Sequence, residues 1–253
     1  MGSLVGKRAL VTGAGQGIGR AVAEQLIDAG CDVAIHYFSS AEGPAEMVER
    51  ARSLGRRAEA FQADLTDETA ANGLVDRAAA FLGGLDVLVN NAGGLIGRRK
   101  ITEIDLDFWK TVIDVNTTSA MLVTRRAVPH LSANPASSIV NLASLAGRKG
   151  GHGGSLVYSM TKGAIISFTR VLAAELGSKG IRVNAVAPGL ILGTHFHNTF
   201  TTKESADATI RDIPIGRAGT VDDVARPIVY LASEYDGFIT GATLDINGGI
   251  YCA

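Results

Sequence analysis

The sequence predicts an α/β protein: a doubly wound parallel sheet of about seven strands with helices on both faces. Three observations carry that expectation. Short β-branched apolar runs alternate with longer segments of helical period, which is the pattern of βαβ units. The strand runs are apolar almost throughout, as strands covered by helices on both sides are. No linker, repeat or low-complexity tract breaks the alternation across 253 residues, so one domain over residues 1–253 is expected.

The elements follow in order. ALVT at Ala9–Thr12 reads as the first strand, Ile18–Ala29 as the first helix and DVAIHY at Asp32–Tyr37 as the second strand. A helix over Ala41–Leu54 leads to a strand at Ala58–Gln62, and a helix over Glu68–Leu82 leads to LDVLVNN at Leu85–Asn91. Helical period then runs through Leu106–Leu131, Val157–Leu176 and Val221–Ser233, with strands at Ser138–Leu142, Ile181–Val186 and Thr243–Ile246. The Gly-rich stretch GRKGGHGG at Gly147–Gly154 is too short to divide domains. It falls between a strand and a helix, at the sheet edge where open α/β sheets bind ligands.

Composition narrows the class. A chain 46% hydrophobic and 19% charged, with 31 Gly and 6 Pro, has enough apolar material for a sizeable core. Its 24 basic and 25 acidic residues are interleaved and sum to −1, leaving neither a basic stripe for nucleic acid nor an acidic tail. The local exception is Arg98-Arg99-Lys100. Two cysteines, Cys31 and Cys252, do not make a disulfide framework and fit a reducing compartment. MGSLVGKRALVTG lacks the apolar core of a signal peptide, and Gly6 stands where a myristoylation signal prefers Ser or Thr. No run of about 18 apolar residues marks a membrane span. A cytoplasmic protein with no membrane, nucleic-acid or metal partner is expected.

The chemistry starts at Thr12–Gly19, TGAGQGIG, between the first strand and first helix. Glycines there permit a tight turn and close approach of a pyrophosphate, and the helix N-terminus favours negative charge. Alone it could be a structural turn, but its place after the first strand and before a helix points to a dinucleotide-binding loop. Farther on, Tyr158 and Lys162 in VYSMTK share a helix face, with about 5–6 Å between Cβ atoms. A phenol of reference pKa about 10 is a poor base at neutral pH. A neighbouring ammonium stabilises the phenolate and lowers that pKa. Ser144, at the end of the fifth strand, can orient a carbonyl beside them. Each feature alone has a plainer reading: an exposed helical pair for Tyr158 and Lys162, turn residues for Asn90 and Asn91, a helix N-cap for Asp64, and a helix polar residue for Asn116.

Together they have an order. TGxxxGxG, then Asn90-Asn91-Ala92-Gly93 after the fourth strand, then Ser144 14 residues before Tyr158-x-x-x-Lys162, resembles the short-chain dehydrogenase/reductase family. The resemblance spans essentially the whole chain, including Pro188-Gly189 and the late GATLDINGG. It implies an NAD(P)-dependent oxidoreductase that interconverts a ketone and a secondary alcohol by reversible hydride transfer. Tyr158 would be the general acid or base, Lys162 its tuner, Ser144 the hydrogen-bond partner of the substrate oxygen, and Asn116 the support of a water-linked proton path. The cofactor would be lined by Gly13, Gln16, Gly17, Ile18 and Gly19 at the turn, His36, Tyr37 and Ser39 after the second strand, and Asp64 and Leu65 at the adenine. Asn90, Ala92, Gly93, Tyr158, Lys162, Pro188, Gly189, Ile191 and Thr194 would complete the lining. PGLILGT, which contains Thr194, is one residue longer than the family's usual spacing. The intact catalytic set speaks against the rival class, a dinucleotide-binding scaffold without turnover, because binding alone does not require Ser144.

NAD-preferring members carry an acidic residue at the end of the second strand to hold the ribose 2′-hydroxyl. Here that place is Tyr37, so no carboxylate repels a 2′-phosphate. The arginine common in NADP users is also missing, with Gln16 and Phe38 in its two usual places. His36, Gln16, Ser39 and Ser40 offer neutral hydrogen bonds, weaker than charge-assisted ones. NADP(H) is favoured and NAD(H) remains open.

For the substrate, the resemblance is greatest to the 3-oxoacyl-acyl-carrier-protein reductase branch, where exposed basic residues beside the site dock the carrier. Lys179 is a candidate, but His130–Ser138 holds no Lys or Arg. NNAGGLIGR and LDINGG also resemble reductases of uronate-derived keto acids and sugar dehydrogenases. Arg98, Arg99 and Lys100 either reach a substrate carboxylate or form a solvated basic turn. His195 and His197 lie in a variable substrate segment over about residues 190–216, where they line the pocket or face water. The family implies a homotetramer or homodimer built through Leu106–Leu131, Val157–Leu176 and the C-terminal strand, consistent with apolar Val171 and Leu172.

Overall fold

The computed structural model describes residues 4–39, 42–134, 136–233 and 237–253. Ser40 and Ala41 lie outside them. Seven parallel strands form one sheet in the order β3-β2-β1-β4-β5-β6-β7, with β1 at Arg8–Val11, β2 at Asp32–Tyr37, β3 at Ala58–Gln62, β4 at Val87–Asn90, β5 at Ser137–Leu142, β6 at Ile181–Pro188 and β7 at Thr243–Ile246. The helices are α1 (Gly17–Asp28), α2 (Glu42–Ser53), α3 (Glu68–Leu82), α4 (Leu106–Ile113), α5 (Ser119–Leu131), α6 (Leu145–Lys149), α7 (Leu156–Leu176), α8 (His195–Phe200), α9 (Lys203–Asp212) and α10 (Val221–Ala232). The doubly wound α/β fold read from the sequence is the fold found.

The central strands β4 and β6 are buried along their whole length, which is why they are mostly apolar. On one face Leu26, Ile27 and Met47 share a core with Val33 and Ile35 of β2, and it continues through Val224, Ile228 and Leu231 of α10. On the other, Leu74, Val75, Leu122, Leu131 and Leu176 cover Leu88 and Ile139. Each such fully buried side chain contributes roughly 1.5–3 kcal/mol of transfer free energy.

Chain order reverses at β1, whose neighbours are β2 on one side and β4 on the other. The crossovers therefore diverge above the C-terminal ends of β1 and β4 and leave a crevice there. That crevice positions the site.

Three readings change. The helix expected over Leu106–Leu131 is interrupted by a π-turn at Asp114–Thr118. Its cause is a run of side chains bonding back one turn: Asn116 Nδ2 to Val112 O, Thr117 Oγ1 to Ile113 O and Ser119 Oγ to Val115 O. The variable segment contains two short helices, α8 and α9, capped by Thr194 and Thr202. Lys179 stands beyond the C-terminal end of α7, 21 residues from Tyr158 and on the order of 30 Å away at helical rise, so it is not beside the site. No helix among the described residues is long and apolar enough to cross a membrane.

Candidate active site

The crevice is a cleft of about 1040 Å³, large enough for a dinucleotide and a small substrate together. Its first wall is the turn after β1. Gly13 and Gly17 have φ of +62° and +59°, and a Cβ on Gly19 would stand 2.3 Å from the Gly13 carbonyl oxygen, so only glycine permits the turn to close here. Unlike α3, α4 and α10, which Asp67, Asp105 and Thr220 cap, α1 has no side-chain cap and no acid in its first turn. Its free N–H donors and positive dipole end open onto the cleft, which fits a pyrophosphate.

Buried hydrogen bonds hold this turn in place. Thr12 Oγ1 accepts from the N–H groups of Asn91 and Ala92, at 3.0 and 3.1 Å. Asn91 Nδ2 donates to the carbonyls of Thr12 and Gly13, each at 2.9 Å. The Gly-turn and the Asn-Asn-Ala-Gly loop are thus one unit. Thr12 and Asn91 belong to the two quoted motifs but not to the cofactor lining that the resemblance implies.

His36 lines the cleft as expected, and its ring is held from both sides. Its Nδ1 accepts from Gly13 N–H at 2.9 Å and its Nε2 lies 3.1 Å from the Ala63 carbonyl. Both ring nitrogens are occupied, so the ring bolts the turn to the end of β3 and has no nitrogen left for a phosphate. Burial lowers its pKa from 6.5 to about 4, keeping it neutral.

Asn90 departs from expectation. It is buried, donates to Thr124 Oγ1 and Asn141 Oδ1, and its side chain lies behind the cleft wall. Strand alternation explains this: successive residues face opposite sides of the sheet, so Asn91 faces the turn and Asn90 the helix layer. Gln16, Ile18, Tyr37, Ser39, Asp64, Leu65, Ala92, Gly93, Pro188, Gly189, Ile191 and Thr194 all line the cleft. Asp64 accepts from Thr66 N and Oγ1 through the same oxygen, Oδ1.

The catalytic candidates meet at one point. Ser144 caps α6, its Oγ accepting from Ala146 N, and it shares a hydrogen bond with the Tyr158 hydroxyl. Lys162 Nζ donates to the Leu142 carbonyl at 2.7 Å and lies 5.8 Å from the centre of the Tyr158 ring. Asn116 is buried beneath Gly93–Gly94, Oδ1 accepting from Gly94 N and Nδ2 donating to Gly94 O. A Cβ on Gly93 would sit 2.7 Å from Asn116 Oδ1 and 3.3 Å from Lys162 Nζ, so Gly93 separates the two. A backbone-to-backbone contact sets the spacing of α6 and α7: a Cβ on Gly147 would stand 2.5 Å from the Lys162 carbonyl carbon.

The electrostatics differ in sign from the sequence expectation. Burial pushes the Tyr158 hydroxyl up from its ordinary value, and the Ser144 hydrogen bond pulls it down by less. Burial also lowers Lys162 to about 8. In this state Tyr158 is protonated at neutral pH, the form a proton donor needs.

At the far end Arg98, His195 and His197 line the cleft. Arg99 pairs with Asp105 at 2.5 Å and lies over Phe108, and Lys100 is outside the lining. The basic triplet therefore splits, with one member facing the cleft.

Comparison with known proteins agrees with this geometry. Residues 13–251 match the family model described as enoyl-(acyl carrier protein) reductase. The 3-oxoacyl-[acyl-carrier-protein] reductase FabG of Staphylococcus aureus is 37% identical over 249 residues, 97% of this chain and 98% of that protein. The chain belongs to the short-chain dehydrogenase/reductase family. Other similar family members have been solved. A short-chain dehydrogenase from Burkholderia cenocepacia in complex with NADP is 37% identical at a TM-score of 0.91, covering 98% of this chain and 99% of that one. An NADH-dependent reductase, A1-R', responsible for alginate metabolism, is 35% identical at a TM-score of 0.90, covering 99% of both chains; it has also been solved with NAD. As a family member the protein is an NAD(P)-dependent oxidoreductase, and its chemistry is ketone reduction.

Proposed function

We propose that the cleft binds NADP(H) in preference to NAD(H) and reduces a ketone to a secondary alcohol at Ser144, Tyr158 and Lys162, reversibly. The observation that carries this reading is the shared hydrogen bond of Ser144 and a protonated Tyr158, one helical turn from a buried ammonium. When bound, the reduced nicotinamide supplies hydride to the carbonyl carbon. Ser144 Oγ holds the carbonyl oxygen, and Tyr158 gives that oxygen its proton. The Lys162 ammonium stabilises the phenolate left behind. Asn116, tied to the Gly94 backbone, keeps the cleft floor in register and supports proton resupply through water. Activity followed by nicotinamide absorbance over a ketone panel tests this, with Tyr158→Phe expected to lose on the order of 10³-fold in kcat. Unchanged turnover in that variant would refute the mechanism.

The cofactor preference rests on the end of β2, where Tyr37, Phe38 and Ser39 replace the carboxylate that would hold a ribose diol. Relatives solved with NADP and with NAD make a direct titration the deciding measurement. Tighter binding of NADPH than NADH supports the preference; equal or reversed affinities overturn it.

The 3-oxoacyl relatives supply the first reading of the substrate. The second, a uronate-derived keto acid, is favoured by Arg98 in the cleft and by the distance of Lys179 from it. We further infer a homotetramer or homodimer, since Leu106, Met121, Met160, Val171 and Leu244 are exposed apolar side chains on α4, α5, α7 and β7. Light scattering that finds a stable monomer at micromolar concentration would refute it. The free thiols Cys31 and Cys252 suit a reducing, cytoplasmic setting. Residues 190–216, with α8 and α9, form the segment we assign to substrate choice.

A further inference from the structure

Beyond Ser144 and Tyr158 the cleft continues into a chamber that the proton chemistry leaves unexplained. Its polar side chains come from separate segments: Arg98 after β4, His152 before α7, and His197, Ser205, Thr209 and Asp212 from α8 and α9.

Arg98 is an exposed side chain that lines the cleft and, like Arg56 and Arg77 elsewhere, is hydrogen-bonded to backbone carbonyls. Its Nη1 donates to the Gly153 carbonyl at 3.1 Å and its Nη2 to the Phe200 carbonyl at 3.5 Å, on opposite sides of the mouth. Among the described residues no carboxylate pairs with it. By contrast Arg99, its neighbour, holds Asp105, and Arg20, Arg57 and Arg148 hold Glu24, Asp32 and Asp245. Neutral carbonyls orient the guanidinium and leave its charge uncompensated, with further N–H donors to spare.

The loop that carries Arg98 is fixed to the catalytic helix. Arg99 N donates to the Gly154 carbonyl at 3.0 Å, and a Cβ on Gly154 would lie 3.0 Å from Arg98 Cβ. Gly154 is four residues before Tyr158, so the guanidinium has a set place relative to the proton donor. Ser155 gives α7 no side-chain cap, which adds the positive end of a 21-residue helix to the same side.

The rest of the chamber suits hydroxyl groups. Burial, Arg98 and His152 push His197 down to about 4, so it hydrogen-bonds as a neutral ring. Ser205, Thr209 and Asp212 add donors and acceptors. A long acyl chain has no polar groups to match this lining, whereas a hydroxylated substrate does.

The geometry points to Arg98 as the anchor of a substrate carboxylate, making the ketone that of a small, hydroxylated oxo acid rather than a fatty acyl thioester. A planar guanidinium fork matches a carboxylate in shape and charge. This inference rests on the ketone-reducing reading above and assigns its substrate class.

The test compares a short hydroxylated oxo acid, its uncharged amide and a 3-oxoacyl thioester, by kcat/KM, in the wild type, Arg98→Met, Arg98→Gln, Arg98→Lys and Arg99→Met. The wild type is expected to prefer the acid to the amide by on the order of 10²-fold. Arg98→Met and Arg98→Gln should bring that ratio near one, chiefly through KM. Arg98→Lys should restore part of it and Arg99→Met should leave it intact. The glutamine variant keeps one neutral donor on a shorter side chain, and an unchanged kcat/KM toward the amide reports that the loop is still ordered. An acid-to-amide ratio that survives Arg98→Gln, or a wild type that prefers the thioester, overturns the assignment. Calorimetry with the corresponding hydroxy acid reads the anchor without turnover. Arg98-dependent binding with no reduction of any ketone would sustain the anchor and defeat the ketone-reducing reading; binding indifferent to Arg98 would defeat the anchor.

Discussion

At the N-terminal edge of the sheet, charge is spent on the fold. Arg8, at the start of β1, reaches Asp86 just before β4 through Nε and Nη2 and the Gly83 carbonyl through Nη1. Arg57, before β3, holds Asp32 at the start of β2, and Arg182 in β6 donates to the carbonyls of Leu231 and Ser233. At the C-terminal edge Arg148 pairs with Asp245, but several donors are left for a ligand. There α1 is uncapped, Lys162 is a buried cation bonded to a backbone carbonyl, and Arg98 has carbonyl partners alone. One edge satisfies its own charges and closes the molecule, while the other holds donors and cations ready for something absent from the chain itself. The difference separates stability from function by about the length of a strand.

Substitutions at the two edges should therefore fail in different ways. The largest effect belongs to Lys162→Met, which should lower kcat on the order of 10³-fold while the melting temperature holds or rises, because a desolvated ammonium is removed. A melting temperature that collapses with activity would merge the two edges. Asp86→Ala should do the reverse, costing ~3 kcal/mol in denaturant unfolding by stranding Arg8 with kcat unchanged per folded molecule. The Asp86 carboxyl lies below its ordinary value through the Arg8 bonds, against desolvation. Its contribution is therefore present above the unfolded pKa near 4 and lost as pH falls through the folded value; the variant should lack that dependence.

His36 gives the comparison a pH axis. Its folded pKa is about 4 against 6.5, so between those values the unfolded chain takes up a proton that the folded chain refuses. Stability should fall by roughly 3 kcal/mol as pH drops across that window. His36→Gln, which does not titrate, should flatten the slope in unfolding curves taken at successive pH. The smallest loss among the destabilising changes is expected from Gly147→Ala, about 1–3 kcal/mol from overpacking against the α7 backbone. Its signature is a loss of kcat with unaltered cofactor affinity, since it separates Ser144 from Tyr158 and leaves the Gly-turn alone.

Much of this was legible in the residues because the fold and the phosphate turn depend on local pattern. Alternating β-branched runs and helical periods locate the strands, and glycines mark the turn where other side chains do not fit. What escaped depends on direction and distance. Asn90 and Asn91 are adjacent letters, yet the pleat sends them to opposite sides. His36 looks like a ligand in a string and is a bolt between two strands in space. The π-turn at Asp114–Thr118 arises from side chains bonding back to carbonyls, which periodicity does not register. Sequence reasoning expects the Tyr158 shift downward from its neighbour's charge, but burial, which sequence does not report, raises it against the Ser144 hydrogen bond.

The helices α8 and α9 begin at Thr194 and Thr202, each of which satisfies a first-turn N–H with its own hydroxyl. Such caps are worth on the order of 1 kcal/mol each, so these short helices have local start signals although they still need packing. On the substrate assignment proposed above, exchange of residues 195–212 is expected to change the carbonyl compound accepted while the proton donor, its ammonium and the phosphate turn stay as they are.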